Sequence, residues 1–236
     1  MKNLAIIPAR GGSKRIPRKN IKPFLGKPII AYSIETAIET NLFDEVMVST
    51  DDEEIAEIAK KYGAQIPFLR SNQTANDHAV LAEVLIETIE QYKKFGKEPE
   101  NICCILSTAP LITKDDIFNA YSMLTDSQKY DSVCPIVQFS FPILRSLVMD
   151  TNRYINMRWP EYLNCRSQDL EAAYHDAGLF YWVKTEALVK YNKMLTPQTG
   201  GFVIDEAVAQ DIDTESDWKL AELKYQLLKK VSDSEG

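Results

Sequence analysis

Short apolar runs alternate with segments of helical periodicity along most of this chain. Buried strands read as short continuous apolar runs, whereas amphipathic helices place apolar residues three or four positions apart. Such alternation predicts an α/β fold, in which helices flank a mostly parallel sheet and ligands bind at the carboxyl ends of the strands. The runs predicted to be strands are LAII, VMVST, QIPFL, ICCILS, SVCPIVQ and AGLFYWV.

Length and composition predict a single domain over residues 1–236, since 45% of the side chains are hydrophobic and suit one large core. The pattern loosens between residues 139 and 175, a segment rich in aromatic and arginine side chains. We interpret this segment as an insertion, because it contains no helix of good length. Two roles stay open for it: a β-ribbon that covers the sheet edge, or an arm that binds a partner or caps a substrate.

The net charge of −7 argues against nucleic acid as a partner. No apolar run approaches the roughly 20 residues that a membrane helix needs, and the first run is too short for a secretory signal. The sequence therefore predicts a cytoplasmic protein that does not bind a membrane. Its four cysteines show neither metal-ligand nor disulfide spacing, and we interpret them as buried thiols.

The loop that follows the first apolar run is strongly basic, and residues 1–34 contain eight Lys and Arg but no Asp or Glu. Gly11 and Gly12 lack a Cβ, so the backbone can turn successive N–H groups toward one point and form an anion nest. A small polyanion such as a triphosphate suits this loop better than solvent alone, because the loop directly follows a buried strand. No Walker A or GxGxxG motif is present, which disfavours an ATPase motor or a dinucleotide-dependent dehydrogenase. The cations expected around the nest are Arg10, Lys14, Arg15, Arg18 and Lys19.

Two aspartates near the C-terminus, Asp211 and Asp213, form a second candidate site. In an extended segment they point to one face, about 7 Å apart, since each residue spans about 3.3 Å. Mg²⁺ is typically bound by one or two carboxylates together with substrate phosphates. From the spacing alone, a solvated turn before the last helix is the stronger interpretation. That helix is predicted to begin near Thr214, with Asp217 on its polar face. Asp51 and Glu54 are predicted to start an earlier helix with a pattern like a capping box.

The run IIPARGGSKRIPRKNIKPFLGKPII at residues 6–30 resembles the N-terminal signature of the sugar-acid cytidylyltransferases, the family of the CMP-sialic acid synthetases. The likeness continues through VSTDDEEIAEIAKKYGA, FLRS, STAPL and DIDTESDW, and so covers nearly the whole chain. Within that family, TAPL followed by a hydrophobic residue and the segment RSQDLEAAYHDAGLFYW look most like the pseudaminic acid cytidylyltransferases.

The resemblance implies a Rossmann-like nucleotidyltransferase fold and a reaction that couples CTP to a nine-carbon α-keto sugar acid, with release of pyrophosphate. It also implies a divalent cation, Mg²⁺ or Mn²⁺, held by Asp211 and Asp213, and a homodimer joined by the insertion. Arg10 and Lys19 are expected to act with the two aspartates as the catalytic set. The nucleotide-binding set implied is Ala9, Arg10, Gly11, Gly12, Ser13, Lys14, Arg15, Lys19, Asn20, Arg70, Ser107 and Thr108.

On the sugar side, the resemblance implies that Arg166 binds the sugar carboxylate from the neighbouring subunit. Sialic acid synthetases commonly read TSPLR where this chain has Ile112 after TAPL, and this departure suggests a less polar pocket that suits a deoxy, methyl-ended sugar. The remaining sugar-side candidates are Gln168, His175, Phe180 and Tyr181. Two alternatives stay open: the aromatic residues belong to the core of a strand, and the histidine is structural.

Other functions stay open at this stage. The runner-up within the family is a CMP-N-acetylneuraminate synthetase. A transferase that uses UTP or GTP would share the fold but have a different base pocket. A catalytically silent nucleotide-binding regulator would keep the basic loop and lose the metal pair, so the presence of both disfavours it.

Overall fold

The structure, a computed structural model, describes residues 1–75, 80–126 and 128–235, with side chains described through residue 230. Its strands are β1 (Asn3–Pro8), β2 (Pro23–Phe24), β3 (Lys27–Pro28), β4 (Glu45–Ser49), β5 (Asn101–Ile105), β6 (Ser132–Gln138), β7 (Leu147–Met149), β8 (Ile155–Met157), β9 (Tyr174–Asp176), β10 (Phe180–Lys184) and β11 (Thr199–Val203). Its α-helices are α1 (Ile29–Glu39), α2 (Glu53–Lys61), α3 (Leu81–Lys94), α4 (Lys114–Asp126), α5 (Thr185–Tyr191) and α6 (Glu215–Glu235).

The central sheet has seven strands in the order β11–β6–β10–β5–β1–β4, with β9 paired to β6. β1 is parallel to β4 and β5, and β6 is parallel to β11. β10 runs antiparallel to β5 and β6, so these two strands share one direction. The predicted mostly parallel α/β sheet is thus confirmed. Because β10 is reversed, its first residues lie at the same edge as the carboxyl ends of its neighbours.

The sheet is buried on both faces because successive side chains of a strand point to opposite sides. On β1, Ala5 and Ile7 pack into a core with α1, α2 and α4, whereas Leu4 and Ile6 pack into a second core with α3 and α5. All four side chains are fully buried. This explains why β1 reads as a continuous apolar run instead of an alternating one.

A third, smaller core joins the two ends of the chain. Phe24 lies 5.7 Å from the ring of Trp218 on α6, in an edge-on arrangement. Ile16 of the basic loop and Ile212, between the two aspartates, are both buried in this cluster. The third core therefore brings the two regions that the sequence singles out into contact.

Two local predictions are wrong. The run QIPFL forms no strand; Gln65 makes one isolated parallel bridge with Met47, and Pro67, which lacks an N–H, interrupts further pairing. The residue that caps α2 is Asp52, not Asp51, because its side chain accepts the Ile55 N–H at 2.9 Å.

Within the described ranges, no helix is both long enough and apolar enough to cross a membrane.

The segment between β6 and β9 forms a two-stranded hairpin, β7–β8, with short 3-10 turns before and after it. Its large apolar side chains are uncovered: Met149 is 65% exposed, Tyr154 70% and Ile155 61%. A two-stranded ribbon is at best marginally stable alone, and exposed apolar patches of this kind mark interaction surfaces.

Candidate active site

A cleft of about 290 Å³ opens where β1 and β5 end. Ligands of open α/β sheets bind at this edge, outside the carboxyl ends of the strands. The walls combine cations from the loop after β1 with hydroxyl and apolar groups from α3 and the loop after β5. The residues that line the cleft are Pro8, Arg10, Ser13, Lys14, Arg15, Ile16, Lys19, Asn20, Arg70, Thr74, Leu81, Val84, Leu106, Ser107 and Thr108.

Asn20 fixes the basic loop against the end of β5. Its side chain is buried; its Nδ2 donates to the Arg10 carbonyl at 2.8 Å, and its Oδ1 accepts the Ser107 hydroxyl at 2.9 Å. A buried amide with both ends bonded holds its partners in one arrangement. Asn20 and Ser107 therefore shape the cleft.

The glycine pair differs from the expected anion nest. Gly11 donates its N–H to Asp51 Oδ1 at 3.1 Å, and neither Gly11 nor Gly12 lines the cleft. The close approach of the backbone to Asp52 favours glycine at position 11, since a Cβ on Gly11 would lie only 2.7 Å from Asp52 Oδ2. Gly11 thus brings the loop against the start of α2, and its N–H is directed to Asp51 and not toward the cleft. Binding of an anion by the rest of the loop stays a prediction.

Arg18 anchors the same loop by a route that the sequence analysis missed. Its backbone is left-handed, with φ 53°, and its guanidinium donates to both Asp52 oxygens and to Glu54 at 2.5 Å. The bond from Arg18 holds the pKa of Asp52 below its usual range, while Asp52 raises the pKa of Arg18. The sequence signal for this contact is the acidic pair Asp51–Asp52 directly after β4. Parallel neighbouring strands end at the same edge of a sheet, so this pair lies beside the loop that follows β1.

Asp211 and Asp213 flank the buried Ile212, so the third core holds the segment from behind. Lys19 donates to the Ile212 carbonyl at 2.6 Å and lies 3.6 Å from Asp213, which also pairs with Arg15 at 2.7 Å. Burial and the nearby charge of Asp213 raise the pKa of Asp211. The aspartate pair and the cationic loop therefore meet beside the cleft.

These carboxylates fit a hard divalent cation. The described residues contain no cluster of three or more His, Cys, Asp or Glu that would hold a metal by themselves. Mg²⁺ does not need such a cluster, since it keeps water ligands and is bound by one or two carboxylates and substrate phosphates. Asp211 and Asp213 supply oxygen ligands of the required type, next to cations suited to phosphate. Asp217, in the first turn of α6, accepts the backbone N–H groups of Asp213 and Thr214 and so caps the helix instead of facing the cleft.

Arg70 is a buried cation in the wall of the cleft. It donates to the Ser49 hydroxyl at 3.1 Å and to the Ser49 carbonyl at 2.5 Å, and burial lowers its pKa. The loop that follows it is held by Glu87 of α3, which accepts the Ser71 N–H at 3.1 Å and the Thr74 hydroxyl. Thr74 and Glu87 were not predicted from the sequence, because their relation depends on how α3 packs.

The sugar-side candidates are spread over two regions, and none of them lines the cleft of this chain. Arg166 is exposed on the insertion, where it pairs with Asp169 at 2.7 Å; Gln168 lies in the same short turn. His175 is exposed on β9 and lies 4.9 Å from the ring of Phe139. The remaining candidates, Phe180 and Tyr181, belong to β10.

Burial corrects part of that prediction. Phe180 is fully buried and has no surface to offer a sugar, so we withdraw it from the sugar-binding set. Tyr181 is also buried, and its hydroxyl donates to Asp176 at 2.7 Å. Ile112 is buried in the main core, so it cannot make the cleft less polar by lining it. The alternative that the aromatics of β10 are core residues is therefore the better one.

A mostly parallel sheet with a cationic loop and two carboxylates at its carboxyl edge suits an α/β protein that binds a phosphorylated ligand there. The model of the cytidylyltransferase family matches residues 4–196, and the chain belongs to this family. It is 42% identical to the pseudaminic acid cytidylyltransferase of Campylobacter jejuni over 96% of this chain and 97% of that protein.

The chain is also similar to a further cytidylyltransferase and, in fold, to a solved structure. It is 32% identical to N-acylneuraminate cytidylyltransferase A of Danio rerio over 92% of this chain and 49% of that protein. Its fold is similar to that of a CMP:2-keto-3-deoxy-manno-octonic acid synthetase complexed with CTP, with a TM-score of 0.70 and 19% identity. That alignment covers 98% of this chain and 100% of the other, and it supports the α/β nucleotidyltransferase fold.

Proposed function

We propose that this protein transfers the cytidylyl group of CTP to a nine-carbon sugar acid, pseudaminic acid, and releases pyrophosphate. The observation that carries the proposal is the contact between the two candidate sites, in which Arg15 of the basic loop lies 2.7 Å from Asp213. A triphosphate and a divalent cation are used together in such a reaction. The similarity to the Campylobacter jejuni enzyme supports cytidine as the base and pseudaminic acid as the acceptor.

The basic loop would bind the triphosphate. Arg10, Lys14, Arg15 and Lys19 line the cleft together with Ser13, so charge and a hydroxyl donor face one space. Charge-assisted hydrogen bonds to phosphate are about twice as strong as neutral ones. We assign Arg10 and Lys19 to the developing charge of the leaving pyrophosphate.

Asp211 and Asp213 would hold Mg²⁺ or Mn²⁺. When bound, the cation would neutralise phosphate charge and lower the pKa of a coordinated hydroxyl. Lys19 fixes the backbone between the two aspartates through the Ile212 carbonyl. In this structure Arg15 pairs with Asp213, and once Asp213 served as a metal ligand the Arg15 guanidinium would be able to bind the phosphates.

The anomeric hydroxyl of the sugar would attack the α-phosphorus in line, and pyrophosphate would leave. The residues of this chain contribute mainly positioning and charge neutralisation, as in other phosphoryl transfers. Arg70, Ser107 and Thr108 would border the nucleotide, since all three line the cleft and are mostly buried.

The working unit would be a homodimer joined by the insertion, residues 139–175. Its uncovered apolar side chains need a partner, and Arg166 lies on it rather than in the cleft of its own chain. A second copy would bring Arg166 to the sugar carboxylate. His175 and Gln168 stay candidates for contacts with the sugar, and a cytoplasmic location stays a prediction.

The test is pyrophosphate release from CTP, UTP, GTP and ATP, each with pseudaminic, N-acetylneuraminic and legionaminic acid. We expect release with CTP and pseudaminic acid, in the presence of Mg²⁺ or Mn²⁺. Preference for N-acetylneuraminic acid would establish the alternative synthetase, for which the Danio rerio relative is the supporting observation. Preference for another nucleotide, or nucleotide binding without release, would refute the proposed reaction.

A further inference from the structure

Asp176, at the end of β9, uses both of its carboxylate oxygens within the chain. Oδ1 accepts the Gly178 N–H at 2.8 Å, and Oδ2 accepts the Tyr181 hydroxyl at 2.7 Å. The Tyr181 side chain is buried whereas Asp176 is exposed, so the bond between them is partly buried. The carboxylate therefore fixes a tight turn between β9 and β10.

The turn is also tied to the sheet on both sides. Ala177 donates its N–H to the Pro135 carbonyl of β6 at 3.0 Å, and the Leu179 carbonyl accepts the Leu106 N–H at 2.8 Å. Gly178, between them, has φ +65°, a conformation that L-residues rarely adopt. The turn is thus held to the sheet by backbone hydrogen bonds on both sides, and the Asp176 carboxylate adds a third bond at the Gly178 N–H.

This turn forms a wall for Asp211. A Cβ on Gly178 would lie 3.4 Å from the Asp211 Cβ and 3.5 Å from its Cγ, which is ordinary van der Waals contact, so the Gly178 turn lies directly beside the Asp211 side chain. The residue after Asp211 is also held, because Lys19 donates to the Ile212 carbonyl. The Asp211 side chain is therefore positioned by its surroundings and not only by its own rotamer.

We infer that Asp176 is a positioning residue for the divalent cation: it fixes the Gly178 turn, which in turn fixes the Asp211 carboxylate toward the metal–nucleotide complex. This inference rests on the proposed function, in which Asp211 binds the cation. Groups that orient metal ligands without touching the metal commonly change metal affinity by about 10–100-fold when removed.

The experiment measures the factor by which Mn²⁺ tightens CTP binding. Calorimetric titrations of CTP with and without Mn²⁺, and without sugar so that no reaction occurs, give this factor for each variant. Asp176→Ala is expected to reduce it by about tenfold or more and to leave metal-free CTP affinity unchanged. Asp176→Asn is expected to keep most of it, because its amide oxygen can still accept the Gly178 N–H.

Controls separate this inference from the proposed function. Asp211→Ala should abolish the factor; if it does not, the proposed metal site is wrong. If Asp211→Ala abolishes it while a folded Asp176→Ala behaves like wild type, the positioning role alone is overturned. Should Asp176→Ala not fold, Gly178→Ala gives the decision, since it disturbs the same turn and is expected to reduce the factor at least several-fold. An unchanged factor in Gly178→Ala would then overturn the inference.

Discussion

Lys19, like Arg15, connects the two halves of the candidate site. Its ammonium donates to the Ile212 carbonyl, between the two aspartates, and Lys19 also lines the cleft proposed for the triphosphate. Lys19 is therefore placed to affect both the proposed cation site and the proposed stabilisation of the leaving pyrophosphate. Its role is therefore best examined through turnover, not through binding alone.

We expect Lys19→Ala and Arg10→Ala to lower kcat by about 10²–10³-fold, because charge on the leaving pyrophosphate grows in the transition state. The KM for CTP should rise less. Steady-state kinetics with CTP varied at saturating sugar would measure both. Lys22→Ala is the matched control, since Lys22 lies in the same basic stretch but pairs with Glu215 outside the cleft. A change confined to KM would show that the loop binds CTP without assisting pyrophosphate departure.

Asp211→Asn and Asp213→Asn should each abolish metal-dependent turnover and leave the circular dichroism spectrum unchanged. Loss of one carboxylate ligand removes several kcal/mol of transition-state charge stabilisation. Asp205→Asn is the control, since that aspartate caps a short turn by accepting the Ala207 N–H. Near-normal turnover with an ordinary metal requirement in either variant would rule out the two-aspartate site.

At the scale of elements, the basic loop is held against the start of α2. Gly11 contacts Asp51 and Asp52, and Arg18 bonds Asp52 and Glu54. The loop that we propose to bind the triphosphate is thus held to the rest of the fold by residues that follow β4, the strand next to β1. The stability of α2 and the shape of the cleft are consequently linked.

Asp52→Ala should lower the free energy of unfolding by about 1–2 kcal/mol at neutral pH, mostly through loss of the helix cap, since the partly exposed Arg18 pair is screened by water. The pKa of Asp52 is lower folded than unfolded. Its contribution is therefore complete above the unfolded pKa, near 4, and is lost as pH falls through the folded pKa. The difference between wild type and variant should shrink below about pH 4.

Urea unfolding at neutral and acid pH would measure this difference. Glu57→Ala is a suitable control, because Glu57 lies on the same helix and makes an exposed pair with Lys60. It should cost less than about 0.5 kcal/mol. A difference for Asp52→Ala that stays constant into acid would show that its carboxylate charge does not contribute.

The sequence predicts the sheet strands best where an apolar run is long and ends in a clear loop, as at β1. It also predicts the basic loop and the aspartate pair, since both are local patterns. It does not predict that Arg18 meets Asp52, because that contact requires β1 and β4 to be parallel neighbours. Phe180 shows a further limit: a strand buried on both faces looks the same in sequence as one that presents aromatics to a ligand.

At the scale of the whole molecule, the insertion at residues 139–175 exposes large apolar side chains to solvent. Its apolar side chains and Arg166 lie outside the cleft, so the proposed sugar site would need a second chain to be complete. Aromatic residues and arginine are enriched at protein interfaces. The proposed homodimer accounts for both features at once.

Mixing Arg166→Ala with Asp211→Ala under subunit exchange should restore activity. In a mixed dimer, one of the two sites has an intact metal pair and an intact arginine, so random assortment gives roughly a quarter of wild-type activity. Each variant alone should be inactive. Sedimentation and a mass-tagged subunit would confirm exchange. No recovery despite proven exchange would contradict a site shared between chains.

The central claim is that the anomeric oxygen of the sugar attacks the α-phosphorus of CTP. The most direct measurement uses pseudaminic acid labelled with ¹⁸O at the anomeric hydroxyl and follows the products by ³¹P NMR and mass spectrometry. We expect a CMP-sugar that keeps the label in the bridging position between phosphorus and the sugar, with unlabelled pyrophosphate. Label in the pyrophosphate, or unlabelled CMP without a sugar-linked product, would contradict it.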